Sequence, residues 1–314
     1  MRKLNCLVFL LIVIANTSIA QENIMTSNYS IFENTMVDMP WSEIEKTKNS
    51  GAIVLVSVGV IEEHGPHMSC GTDLYLAHLG NYLLKKELEK NGVKALIAPP
   101  IYWGIADITS DFPGTFTVSK ETMKSLYLDV FKSLDKWGFK YVFINNEHGE
   151  GKHNETLIEI VKEVNNTMGI KAILQLNEHE TKGKEDICVA VHVPDMSEYV
   201  PSIHRTVIGI HADGGETGIM AAIFPDIVDT LMADTLMATD FSRKYNNPGE
   251  VFAAWEANAR EVTPLGYFGD PANYKESKKY AYDWYLEIAQ NASTAIIDYL
   301  KSENYIWTGK NEGQ

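Results

Sequence analysis

"VLVSVGVIEEHGPHMSCGTD", residues 54–73, begins as an apolar strand and ends in a crowd of acids and imidazoles. "AIVLVSVG" (52–59) is short, continuous and β-branched, the pattern of a strand buried on both faces. Beyond it stand Glu62, Glu63, His64, His67 and Asp73. Carboxylates brought so close together repel one another and take up protons unless something compensates them. The stretch therefore asks what holds these groups at the tip of a buried strand.

The pattern on either side supplies a frame. "DLYLAHLGNYLLKKELEKNG" (73–92) has helical periodicity, with Asp73 at its start and Gly92 past its end. "KALIAPP" (94–100) is a strand stopped by prolines, and "SKETMKSLYLDVFKSLDKWG" (119–138) a helix with Ser119 as N-cap and Gly138 as stop. "KYVFINN" (140–146), "GKHNETLIEIVKEVNNTMG" (151–169) and "KAILQL" (171–176) continue as strand, helix and strand. Strictly alternating strands and helices predict a three-layer α/β/α fold with a mostly parallel central sheet. After 176 the pattern loosens. A Gly-rich turn enters a helix over 210–226, residues 245–275 read as irregular surface chain, and 275–303 as a long final helix.

Ligands of such sheets gather at the carboxyl ends of the strands. The cluster at 62–73 lies at the end of the first strand, and "NNEHGEGKHNE" (145–155) at the end of the third. Glu62 and His64 are two residues apart, so an extended backbone sends both to one side. His148 and Glu150 repeat that spacing in reverse, and Asp73 adds a carboxylate. A single E-x-H pair is weak, since a Glu or His at a strand end is more often a solvated loop residue. Two pairs on one rim are a stronger signal. Imidazole and carboxylate without thiolate suit Zn²⁺, Mn²⁺ or a related divalent ion. Five ligands exceed one tetrahedral site and suit two ions sharing a bridging carboxylate. Cations would also turn the crowding of acids from a cost into an attraction.

Composition narrows the partners. Among 314 residues, 42 acids against 27 bases give a formal net charge of −15. Such a surface repels nucleic acid and anionic lipid, and no basic cluster relieves it. Arg2 and Lys3, the run "LVFLLIVIA" and the small-residue end "NTSIA" have the layout of a cleaved signal peptide over 1–20. The apolar run is shorter than the roughly 20 residues a membrane anchor needs. The expectation is a secreted or periplasmic chain, 21–314, with no membrane association after cleavage. Cys70 and Cys188 would then remain, read as two free thiols.

"SVGVIEEHGPHMSCGTD", "DFPGTFTVS" (111–119), "INNEHGEG" (144–151) and "HADGGETGIM" (211–220) resemble, in order, four signatures of the creatininase (creatinine amidohydrolase) family. The likeness covers about 37–240, leaving 241–314 as a C-terminal extension of one domain. It implies that Glu62, His64, Asp73, His148 and Glu150 are the metal ligands, with Asp73 bridging. Glu62 and His148 would complete one ion's set, and His64 and Glu150 the other's. It further implies that His211 is the catalytic proton donor, with Glu216 holding its turn or lining the site. His67 is expected to orient a ligand through a hydrogen bond, Glu63 to point away from Glu62, and Phe112 to Thr115 to shape the pocket wall. His153, His179, His192 and His204 match no signature and read as ordinary surface or core histidines.

The implied activity is hydrolysis of a carbon–nitrogen bond in a small cyclic or related amide, by a homo-oligomer such as a hexamer. Departures weigh against creatinine itself. Glu147 stands where the family often has Gly, Ile210 stands where creatinine enzymes carry Glu, and "LNEHETK" (176–182) lacks their tryptophan. Other readings are a lactone hydrolase, a protein that holds a metal or small ligand without turnover, and a subunit whose ions only stabilise the fold.

Overall fold

A computed structural model of the chain describes residues 30–195, 210–241, 244–245 and 247–307. The leader pattern at 1–20 and His204 lie outside the described residues. The elements run α1 (Trp41–Asn49), β1 (Ile53–Val58), α2 (Thr72–Lys90), β2 (Ala95–Ile97), α3 (Lys120–Trp137), β3 (Tyr141–Asn146), α4 (Gly151–Thr167), β4 (Lys171–Asn177) and β5 (Cys188–Val191). Then follow α5 (Gly214–Ile223), α6 (Thr230–Ala233), α7 (Pro248–Ala257), α8 (Ala259–Val262) and α9 (Tyr274–Ser302).

Five strands form one sheet in the order β2-β1-β3-β4-β5. Every pairing is parallel, with Val54 opposite Val142 and Leu55 opposite Ile97. Strand alternation divides the core in two. Ile53, Leu55, Phe143, Ile173 and Val191 face α2, α5 and α9, while Val54, Val56, Val142, Ile144 and Leu174 face α3 and α4. Helices thus cover both faces, as the sequence pattern predicts.

Strand order explains where a ligand can sit. From β1 the chain crosses one face through α2 to β2, then returns over the other face through α3 to β3 on the opposite side of β1. The segments leaving β1 and β3 therefore diverge to opposite faces. A crevice opens between adjacent strand ends, the topological switch point of an open α/β sheet. The acid-rich segments after β1 and β3 both empty into it.

Local chemistry fixes the ends of these elements. Ser119 accepts a hydrogen bond from Thr122 N at 3.2 Å to start α3, and Gly138, at φ 85°, ends it in the left-handed region. At the end of β1, Gly59 lets α2 approach. A Cβ there would lie 2.8 Å from Asp73 Cβ, so any side chain would push Asp73 out of the crevice.

The stretch expected to be irregular differs. Residues 248–262 form α7 and α8, each begun by an asparagine side-chain cap from Asn247 and Asn258. Val251, Trp255, Ala259 and Phe268 make a small core with Phe112. These turns are short and proline-flanked, so their apolar residues serve the crevice rather than a periodic stripe. Helix α9 buries Ala281, Tyr285, Ala289, Ala292, Ile296 and Leu300 along one face, an i, i+4, i+7 stripe that closes the sheet on the α2 side. The segment after 240 is thus part of the same core. Cys70 and Cys188 are free thiols. Among the described residues no helix is long and apolar enough to cross a membrane.

Candidate metal centre

The crevice gathers Glu62, His64 and Asp73 from the β1 side and His148 and Glu150 from the β3 side, all buried. Asp73 is the hinge of the arrangement. Its Oδ1 lies 3.2 Å from His64 Nε2 and its Oδ2 3.1 Å from His148 Nδ1. Glu62 Oε2 lies 3.1 Å from the same His148 nitrogen. Glu62, Asp73 and His148 offer ligand atoms within 4.8 Å of one another, and so do Glu62, His64 and His211.

Hydrogen-bond partners decide what these atoms present. His148 Nε2 meets the Ile105 carbonyl oxygen at 2.9 Å, and His64 Nδ1 meets that of Glu62 at 3.0 Å. A carbonyl only accepts, so each ring spends its N–H on the backbone. In the neutral rings, the other nitrogen turns a lone pair toward carboxylate oxygens that also carry lone pairs. Asp73 Oδ2 is buried and makes no hydrogen bond despite the nearness of His148. Such an orphaned acceptor is costly. A divalent cation between the groups satisfies every one of them, and backbone-anchored imidazoles are how metal-binding histidines are usually held. The residues present fit the group the sequence implies.

Without a cation the crowd draws protons instead. Burial pulls His64 down, but the hydrogen bond and charge of Asp73, with Glu216 and Glu62, override it and raise the imidazole to about 10. His148 is raised well above its usual range, with burial again opposing and Glu62 and Asp73 prevailing. Burial works to raise Glu62, yet His148 and His211 hold it down at about 2.

The remaining predicted residues separate. Glu150 is buried, but its Oε2 accepts from Ile108 N at 3.2 Å and its charge faces His148, Asp107 and Glu62. It stands on the Glu62–His148 side, whereas Glu216 is the half-buried acid whose charge acts on His64. His211 packs on His64 with ring centroids 4.4 Å apart. Its backbone is clamped to Phe268, whose N donates to the His211 carbonyl at 2.7 Å. Ala212 follows at φ 50°, uncommon for a residue with a side chain, and its N donates to Glu216 Oε2 at 2.6 Å. Glu216 therefore holds the turn that presents His211.

His67 does not reach a ligand. Its Nε2 meets Thr217 Oγ1 at 2.7 Å, because the Gly65–Pro66 turn aims it at the first turn of α5, so it braces the element carrying Glu216. His153 is buried beneath His148, with rings 5.0 Å apart, and its Nδ1 accepts from Ile105 N. His179 and His192 are exposed beside Glu178.

Other residues complete the site, and of these Thr109 and Trp255 lie outside every signature. Glu63 turns away from Glu62 and meets His211, with its carbonyl oxygen 2.8 Å and its Oε1 3.3 Å from Nε2. Thr109 donates to Glu62 Oε1 at 2.6 Å. Trp255, on α7, lies with its ring 5.7 Å from that of His211 and, with Phe252, walls a cavity of about 310 Å³ over the centre. The aromatic wall thus comes from the segment after 240, where spacing gave no reason to look. Glu147 lines this cavity and a second of about 630 Å³ beside it, and burial pushes its carboxyl up to about 7.

Acids and imidazoles converging at the switch point of a parallel α/β sheet make a candidate divalent-metal site at its carboxyl edge. Residues 37–282 match the sequence model described as "Creatininase: Creatinine amidohydrolase", and the chain belongs to the creatininase family. It is 25% identical over 223 residues to the mycofactocin precursor peptide peptidase of Mycolicibacterium smegmatis, covering 70% of this chain and 74% of the relative. It is 25% identical over 206 residues to the creatinine amidohydrolase of Pseudomonas putida, covering 61% and 72%. A crystal structure of creatinine amidohydrolase superposes with a TM-score of 0.58 at 19% identity, covering 86% of this chain and 97% of that one. A structure titled "Creatininase Mn" gives 0.57 at 20% identity, with 86% and 98% covered.

Proposed function

We propose that the protein is an exported amidohydrolase that cleaves a carbon–nitrogen bond of a small cyclic or related amide with water activated between two divalent cations. The observation that carries this reading is the shared carboxylate. Asp73 turns one oxygen toward His64 and the other toward His148, and both rings have given their N–H to backbone carbonyls.

Bound Zn²⁺ or Mn²⁺ would supply Lewis acidity and bring a water's pKa near neutrality. Glu62, Asp73 and His148 would hold one ion and His64 with Asp73 the other, with buried Glu150 and half-buried Glu216 the acids at hand to complete the sets. His211 would carry the proton for the departing nitrogen. Its Nε2 is tied to Glu63, and the Glu62 and Glu63 carboxylates raise its affinity for that proton although burial and His64 oppose them. Trp255 and Phe252 would keep bulk water from the reacting groups.

The test is removal of metal with a chelator, then restoration with Zn²⁺ or Mn²⁺, assayed on a panel of lactams, formamides, lactones and short peptides. Amide hydrolysis that disappears and returns with the metal supports the reading. Turnover indifferent to metal, or confined to lactones, ends it. Binding without turnover of any panel member would favour the non-catalytic alternative. Export rests on the leader pattern at 1–20, and the homo-oligomer, a hexamer in this proposal, is measurable by light scattering.

A second reading, hydrolysis in an extended amide such as a peptide, is favoured by the 630 Å³ cavity that joins the centre at Glu147, His148 and Gly149.

A further inference from the structure

The loop over 104–109, beyond β2, is where several candidate ligands find their partners. The Ile105 carbonyl receives the His148 Nε2–H at 2.9 Å, Ile108 N donates to Glu150 Oε2 at 3.2 Å, and Thr109 Oγ1 donates to Glu62 Oε1 at 2.6 Å. His148, Glu150 and Glu62 thus take their orientation from one short piece of chain. Whatever fixes that loop fixes them.

The two peptide groups flanking Ile105 are each held at both ends. The first presents the Gly104 carbonyl to Val118 N at 3.0 Å and Ile105 N to His153 Nδ1 at 3.2 Å. The second presents the Ile105 carbonyl to His148 and Ala106 N to Thr117 Oγ1 at 3.1 Å. Thr117 and Val118 tie the loop to the segment leading into α3. His153, in the first turn of α4, ties it to the helix that the His148–Glu150 segment enters. One imidazole therefore connects that helix, through a single residue of the loop, to the ring of a candidate ligand.

The ring is seated for this contact. His153 is fully buried, and its ring lies 5.0 Å from that of His148 at 86°. A Cβ on Gly104 would lie 2.4 Å from His153 Cε1, so the ring fits because residue 104 has no side chain. With a lone pair at Nδ1, the ring proton sits on Nε2, which is buried and meets no partner among the described residues. A phenyl ring would fill the same space without burying an unpaired donor. What the imidazole adds is the acceptor for Ile105 N.

Building on the divalent-metal reading above, we infer that His153 is a positioning residue of the metal centre: its Nδ1 holds the Ile105 backbone, whose carbonyl fixes the His148 ring with Nδ1 toward Glu62 and Asp73.

The full chain, stripped of metal and titrated with Zn²⁺ against a chromogenic chelator, tests this without turnover. His153→Phe fills the site but offers no acceptor, and should weaken Zn²⁺ binding about tenfold or more. His153→Asn places an oxygen where Nδ1 stood, although it leaves a void, and should bind within about threefold of wild type. The visible spectrum of the Co²⁺-loaded chain should change in His153→Phe and return in His153→Asn. A role in packing alone ranks the two variants the other way. Should the phenyl ring prevent folding, His153→Leu takes its place with the same expectation. Unchanged affinity in the apolar variant, or an equal loss in His153→Asn, would overturn the inference. A wild-type chain that binds no Zn²⁺ defeats the metal reading and the inference with it, a result distinct from tight binding that ignores residue 153.

Discussion

Glu63→Gln probes the device that readies His211. The Glu63 carboxylate lies 3.3 Å from His211 Nε2, and its own backbone carbonyl lies closer, at 2.8 Å. Glutamine keeps the shape, which matters because Gly266 is so near that a Cβ there would lie 1.9 Å from Glu63 Oε2. The carbonyl contact survives, so the substitution removes charge and leaves the ring in place. For unit charges at that separation in an effective dielectric near 20, Coulomb's law sets a ceiling of roughly 5 kcal/mol. Measured losses for hydrogen bonds to charged groups are about 1.5–3 kcal/mol, or about 10- to 150-fold in rate. The loss should fall on kcat for alkylamides, whose leaving nitrogen needs a proton, and spare activated anilides, whose leaving group does not. The Glu63 carboxylate raises the His211 pKa, and His211 acts in its protonated form. Its loss should therefore move the alkaline limb of the rate profile to lower pH. Equal losses on both substrate types, or an unmoved limb, would refute the assignment of His211 as proton donor.

Thr109→Val removes the donor to Glu62 Oε1 and should weaken metal affinity about 10- to 100-fold, read by competition with a chromogenic chelator. Gly59→Ala forces a methyl into the 2.8 Å gap beside Asp73. It should lower stability by about 1–3 kcal/mol in denaturant melts and reduce metal content with it. His78 is buried against the Glu33 carbonyl, and burial lowers its pKa to about 4. Its neutral form is the folded one, so its contribution is complete above pH 6.5 and is lost as pH falls toward 4. His78→Gln should abolish up to about 3 kcal/mol of that acid sensitivity, measured as unfolding free energy against pH.

The frame was legible because each signal was local and chemical. The apolar run 52–59 and the caps Ser119 and Gly138 declared strand and helix ends to within a residue or two. The convergence of Glu62, His64 and His148 was legible because period-2 spacing and a shared rim need no knowledge of tertiary contacts, and Asp73 because it ends the loop that carries the first pair. Strand β5, only Cys188–Val191, was too short to stand out from loop. Helix α7 escaped because its apolar residues meet the crevice and Phe268 rather than one continuous face. Trp255 and Thr109 were invisible for a related reason, since each reaches the site from a distant segment with no motif of its own. The position of Glu150 depends on the Ile108 amide, which no spacing rule describes. His67 was read as a bond to a ligand, whereas the turn geometry sends it to Thr217.

On the proposed reading, the acids and imidazoles at the β1–β3 crevice hold paired cations through Asp73. Elemental analysis of the purified chain, dialysed against trace Zn²⁺ or Mn²⁺, measures this directly. Paired cations require about two divalent ions per chain, and a loss of both in Asp73→Ala beyond what any fall in folded fraction explains. A wild-type protein that stays metal-free under saturation, or an Asp73→Ala protein that keeps both ions, would contradict it.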